Sequence, residues 1–117
     1  PGKRLDRMLD YLVEAFVFDR RLNRVFYNLV QMGFERRDVN GPLRQMLQTY
    51  RETMENVFKS AGAGKKSALL SCLLVALIEG LALQWMIDPD ALEKDRVRKI
   101  VKQTIKTSLP IKEGETG

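Results

Sequence analysis

Few residues in this 117-residue chain could do chemistry, and their spacing decides against most of what they suggest. Gly62-Ala63-Gly64-Lys65-Lys66-Ser67 superficially resembles a phosphate-binding loop. Such a loop needs Gly, four residues, Gly-Lys and then Ser or Thr, because backbone N–H groups and one hydroxyl must surround the phosphate, and it follows a strand. Here Lys59 stands where the first glycine is required and Lys66 where the hydroxyl is required, and the preceding run is helical in period. The segment reads as a connector between helices. Glu52 and Glu55, three apart, could pair for acid–base work or hold two irons, but the helical iron motif needs Glu-x-x-His. The sequence has no histidine, which removes the commonest general base and metal ligand. No nucleophile stands with a base, and no enzyme, metal or cofactor is expected. The single Cys72 excludes an internal disulfide and fits a reducing cytoplasm. Set in Leu-Leu-Ser-Cys-Leu-Leu, it reads as a small buried hydrophobe.

The formal net charge of +5 raises the question of nucleic acid. Yet the basic residues are spread, and the pairs Arg20-Arg21, Arg36-Arg37 and Lys65-Lys66 fall at or near helix ends, where cations are commonly solvated. DNA binding by this chain alone is not expected. The opening Pro-Gly-Lys-Arg-Leu-Asp-Arg runs directly into an amphipathic pattern, and no signal peptide is expected.

The elements that must position any site are helices. Leu5, Met8, Leu9, Leu12, Val13, Phe16 and Val17 recur at three- and four-residue spacing, predicting a helix over residues 4–17. After a cap at Asp19, Leu22, Val25, Phe26, Leu29 and Val30 mark a second, which fades at Met32-Gly33. Residues 36–42 read as a loop with Pro42 in the first turn of a third helix. That helix should bury Leu43, Met46, Leu47, Tyr50, Met54, Val57 and Phe58 and end at Gly62 and Gly64. Asp88-Pro89-Asp90 separates a fourth helix over residues 65–87 from a fifth that begins near Asp95 and turns Val97, Ile100, Val101, Thr104, Ile105 and Leu109 inward. Pro110 should stop it, leaving a frayed Gly-Glu-Thr-Gly end. The fold class is all-α, a five-helix bundle forming one domain over residues 1–117.

The fourth helix is apolar all round. One face carries Leu70, Leu73, Leu74, Leu77, Ile78, Leu81 and Trp85; the other carries Ala68, Cys72, Val75, Ala76, Gly80, Ala82 and Leu83. It has about the 20 residues a membrane span needs, but Glu79 would lie near the bilayer centre at a cost of about 2.5–3.5 kcal/mol. A buried helix in a soluble protein is the better reading, with no membrane partner. Ala68, Cys72, Ala76 and Gly80, four apart, let another helix approach closely, and a second copy of the chain is the simplest partner. Glu79 has two readings: a rim position or cross-interface ion pair, and an acidic group facing a ligand pocket.

The run from Leu69 to Leu92, containing Ala76-Leu77-Ile78-Glu79-Gly80-Leu81-Ala82-Leu83-Gln84-Trp85-Met86-Ile87-Asp88-Pro89-Asp90, resembles the penultimate helix of TetR-family transcriptional regulators and the Asp-Pro turn that follows it. Arg21-Leu22-Asn23-Arg24-Val25-Phe26 and the stretch from Pro42 through Tyr50-Arg51 to Val57-Phe58 resemble the middle helices of that family's C-terminal domain. The resemblance implies a ligand-sensing homodimerisation domain in which effector binding shifts the orientation of DNA-binding heads. Nothing in this sequence resembles the helix-turn-helix that reads DNA, and DNA contact is expected only through an N-terminal domain absent from it. The last two helices would form an intersubunit four-helix bundle, with Ala68, Cys72, Ala76, Gly80, Leu83, Val97, Val101 and Ile105 at the dimer interface. The effector, small and apolar or aromatic, would meet some of Phe16, Phe26, Tyr27, Leu29, Met46, Tyr50, Met54, Leu77, Trp85 and Met86, with Asn28, Gln31 and Gln84 as further hydrogen-bonding groups. Two alternatives stand beside this: a purely structural helical dimerisation module with a filled core, and a basic nucleic-acid adaptor.

Overall fold

The computed structural model describes residues 2–109, and every regular element among them is helical. The expected stop at Pro110 and the polar end after it lie outside the described residues. Helix α1 spans Gly2–Leu12 and continues into a π turn, Val13–Val17, instead of one uniform helix. The wider turn leaves Val13 and Val17 both fully buried while Phe16 is half-buried. Asn23 holds this turn. Its side chain is buried, and Nδ2 donates to the carbonyls of Phe16 at 2.7 Å and Val17 at 3.2 Å. Helix α2, Arg20–Glu35, starts at Asp19, whose Oδ1 accepts from the Leu22 N–H at 2.9 Å.

The expected loop over residues 36–42 is a helix. The chain bends at the single extended residue Arg36, and α3 runs Arg37–Ser60, placing Pro42 beyond the first turn. A proline there removes one intrahelical hydrogen bond, and packing between helices outweighs the loss. Gly33 is buried, and a Cβ built on it would stand 2.6 Å from Cδ1 of Leu43. The missing side chain lets α2 and α3 approach closely where Leu43 and the Asn40 backbone of α3 pass Gly33. At the far end Gly62 takes φ 90°, Ala63 N–H bonds Phe58 O at 3.0 Å and Gly62 N–H bonds Lys59 O at 3.1 Å. This paired arrangement satisfies the last carbonyls of α3.

After a 3₁₀ turn, Gly64–Lys66, helix α4 spans Ser67–Ile87. The run Gly64–Ile87 is long and apolar enough to cross a membrane by length and composition. In the fold its inward stripe, Ser67, Leu70, Ser71, Leu74, Ile78 and Ala82, packs against the other helices. Two residues depart from the expected faces. Leu73 is exposed and Ala82 fully buried, because the buried stripe is set by where neighbouring helices approach and not by side-chain size. Cys72 is likewise exposed, not buried. A turn at Pro89–Ala91 leads to α5, Lys94–Thr107, capped by Glu93, whose carboxylate accepts from the N–H groups of Asp95 and Arg96.

The core joins Leu5, Leu9 and Leu12 of α1 to Met54, Val57 and Phe58 of α3, Leu70, Leu74 and Ile78 of α4, and Val97, Val101 and Ile105 of α5. Ile100 and Thr104 of α5, expected inward, face solvent. Ion pairs flank the α1–α5 seam: Asp10 with Lys102 at 2.9 Å, Asp6 with Lys106, and Glu14 with Lys94 at 3.5 Å. The whole is a slab of about 50 × 34 × 16 Å, with a radius of gyration of 15.4 Å. A compact domain of about 100 residues has roughly 13 Å. A slab two helices deep leaves α4 one covered side and one open side.

Candidate functional site

A cavity of about 160 Å³ opens between α2 and α3. Its inner wall is Leu12 at the end of α1 and Phe16 in the π turn, together with Val75, Ile78 and Glu79 of α4. Helix α2 supplies Leu22, Asn23, Val25, Phe26 and Leu29, and α3 supplies Met46, Leu47, Tyr50 and Met54. The third helix was expected to bury Tyr50 with the rest of its stripe, and the second carried a helical apolar series. Instead Leu22, Val25, Leu29 and Tyr50 are exposed, and all four line the cavity. The Phe16 and Tyr50 rings meet edge-on with centroids 6.2 Å apart.

Of the expected ligand contacts, Phe16, Phe26, Met46, Tyr50 and Met54 line the cavity, as does Leu29. Tyr27, Leu77 and Trp85 do not. Tyr27 points to α4, where its hydroxyl donates to the Glu79 backbone carbonyl at 2.6 Å. Leu77 packs on the core. Trp85, two turns beyond Ile78, stacks edge-on with Phe18 at 5.4 Å under the Arg20 guanidinium, which also bonds the Met86 carbonyl. Met86, Asn28, Gln31 and Gln84 are not among the lining residues either. Leu12, Leu22, Asn23, Val25, Leu47, Val75 and Ile78 were missed as wall residues, and Glu79, read as either a rim position or a group facing a pocket, lines the cavity. The helical period of α1 had marked Leu12, but nothing local marked Asn23.

Glu79 is the charged residue of the wall. It takes part in no ion pair among the described residues, and its Oε2 is sealed from solvent without a hydrogen-bond donor. Burial pushes its carboxyl above the usual carboxylate range. Burial also raises the Tyr27 phenol, and the Glu79 charge adds to that rise.

A second feature is the open side of α4. Leu69, Leu73, Ala76, Gly80, Leu83 and Ile87 follow one another at spacings of four and three, the repeat of a helix–helix seam. Leu69 and Ile87 are 75% and 77% exposed, and Leu73 and Leu83 are also open. Of the residues expected at a dimer interface, Ala68, Cys72, Ala76 and Leu83 are exposed here, with Gly80 partly so. Val97, Val101 and Ile105 are not available for it, because they are buried in the chain's own core against α1. The exposed apolar residue of α5 is Ile100.

Residues 1–110 match the family model described as BetI-type transcriptional repressor, C-terminal. No curated protein and no solved structure matches the chain.

Proposed function

Since the chain belongs to the C-terminal domain family of BetI-type transcriptional repressors, we propose that it is the effector-sensing and self-associating part of a TetR-type regulator whose DNA contacts are made by another domain. The carrying observation is the cavity, whose wall draws on α1, α2, α3 and α4 together. A ligand that touches all four walls favours one spacing of α1 against α4. Ligands shift an equilibrium only by binding its two states differently, and a cavity shared between helices supplies that difference. Helix α1 would pass the change on, and α4 would pair with α4 of a second copy through the Leu69–Leu73–Ala76–Gly80–Leu83–Ile87 seam, with Ile100 of α5 beside it. The α4–α5 pairs of two copies then make the intersubunit four-helix bundle, with α5 contributing its outer side instead of its Val97–Val101–Ile105 stripe. Such a regulator works in the cytoplasm, where an exposed Cys72 stays reduced.

The test is binding of a small neutral aromatic, 4-phenylbutanol, to the whole chain by calorimetry and thermal shift. One molecule per chain should bind and raise the melting temperature. A Val25→Trp variant, which places an indole at the half-exposed mouth, should lose the binding without losing the fold. No binding to the parent chain, or equal binding to the variant, would reject the cavity as the effector site.

A further inference from the structure

The basic residues are spread along the sequence, but the fold gathers many of them at one end. Helix α1 runs antiparallel to α5, since Glu14 just beyond α1 pairs with Lys94 at the start of α5, and Asp6 pairs with Lys106 in its last turn. It runs alongside α4 in the same direction: Leu12 and Phe16 share a wall with Val75 and Ile78, and Phe18 reaches Trp85. The short connection from Ala61 to Lys66 returns the end of α3 to the start of α4. The first turns of α1, the last turns of α3 and α5, and the start of α4 therefore share one end of the slab. Lys3, Arg4 and Arg7 of α1, Lys59 of α3, and Lys65 and Lys66 before α4 stand there. All six are exposed, and none is in an ion pair among the described residues. Lys106 joins them, and its partner Asp6 is the one carboxylate in residues 2–8, 57–66 and 104–107. Seven cations against one carboxylate exceed the formal net charge of the whole chain, +5.

Around the start of α5 the chain treats its cations differently, for Lys94, Arg96 and Arg98 are held by Glu14, Glu93 and Asp95. Like charges gathered without carboxylates raise a positive potential that draws polyanions. Arg4 and Arg7 add planar forks that match phosphate oxygens in pairs. We infer that this end of the domain holds the phosphates of duplex DNA, adding contacts that do not depend on base sequence to those of the domain that reads it. Such contacts fix a protein's position on the duplex. This rests on the reading of the chain as the C-terminal part of a repressor. The family match starts at residue 1, and whatever precedes that part in such a repressor joins at the amino end of α1, which is the basic end. The cations thus lie on the side from which the DNA is held.

The experiment titrates the whole chain into a labelled DNA duplex of mixed sequence at rising salt, read by fluorescence anisotropy. The chain should bind at about 20 mM salt, and each phosphate it meets should steepen the fall of log affinity with log salt by about 0.9. That slope needs no variant. A Lys3→Gln/Arg4→Gln/Arg7→Gln variant changes exposed residues only. It should weaken binding at low salt about tenfold or more and flatten the slope by about 2. An Arg21→Gln/Arg24→Gln/Arg44→Gln variant removes the same charge from exposed positions on α2 and α3, and should keep the parent's slope. No binding at low salt, or equal losses in the two variants, overturns the inference and leaves the cavity to its own test with 4-phenylbutanol. Binding to phosphatidylserine vesicles without binding to the duplex assigns the surface to lipid and overturns it as well. Duplex binding by a chain that does not bind 4-phenylbutanol supports the basic end and rejects the cavity as the effector site.

Discussion

The Tyr27 hydroxyl donates to the backbone carbonyl of Glu79 at 2.6 Å, fastening α2 to α4 at the residue whose side chain helps wall the cavity. Helix α2 is also tied to α4 by Arg20, whose guanidinium bonds the Met86 carbonyl and lies over Trp85, and to α3 by the close approach at Gly33. Only Asn23 and Gly33 are fully buried along it, and its apolar stripe is spent on the cavity mouth. The phenolic hydrogen bond is the tie between α2 and α4 that lies at Glu79, beside the inner wall.

Tyr27→Phe keeps the ring and removes that bond. A hydrogen bond of this kind contributes about 1 kcal/mol net, which lowers the melting temperature of a domain this small by about 4 °C. Amide exchange should quicken along α2 more than along α1 or α5. A uniform change across all helices would show that the bond supports global stability and not the position of α2.

Glu79 gives a pH dependence whose sign can be worked out. Burial raises its carboxyl in the folded chain above the unfolded value. Between those two values the folded state holds more protons than the unfolded state, and its stability falls as pH rises through that interval. Above it the ionised, unpaired carboxylate weighs fully against the fold. Glu79→Gln should therefore raise the melting temperature near neutral pH, with a gain that shrinks towards zero below the ordinary carboxylic range. Thermal melts of both chains across that range decide it, and a gain independent of pH would assign the effect to something other than the charge.

Much of this was legible in the sequence because helical period is a local signal. The stripe from Leu5 to Val17, the Asp19 cap, the Gly62 terminator and the Asp88-Pro89 break all act within a turn or two of themselves. Contacts between helices were less legible. Asn40-Gly41-Pro42 carries loop chemistry, yet the segment is helical and packs on α2, where the bare backbone at Gly33 makes room for Leu43. In α4 every side is apolar, and the pattern does not say which neighbour each side meets. Leu77 and Trp85 were expected in the cavity, whereas Val75, Ile78 and Glu79 on the same helix form its wall. The stripe of Val97, Val101 and Ile105 could serve a partner or the chain's own core equally well, and the choice depends on where α1 lies.

That choice separates two variants. Ala76→Arg puts a long cation into the middle of the exposed α4 seam without touching the core. It should convert a dimer to a monomer of 13.5 kDa with little change in helicity, read by light scattering at tens of micromolar. Val101→Ala removes methyl groups from a residue only 2% exposed and should cost about 1–3 kcal/mol of stability as a cavity-forming core change. It should leave the native assembly dimeric. A monomeric parent chain, or a dimeric Ala76→Arg, would place any self-association on another surface.

Asn23 supplies the last test, because it joins the π turn to the cavity wall. Its side chain is 2% exposed and serves two carbonyls at the end of α1 that no helical N–H reaches. Asn23→Ala strips both of their donor and opens space beside Phe16, and buried groups left unpaired in this way cost about 1–3 kcal/mol. The π turn has fewer reasons to hold without that donor, and Phe16 is the residue it presents to the cavity. The variant should therefore lose affinity for 4-phenylbutanol beyond what its lower stability explains. The measurement is calorimetric affinity at a temperature where both chains are fully folded. Equal affinities there would show that Asn23 supports the fold alone, and that Phe16 keeps its place in the wall by packing.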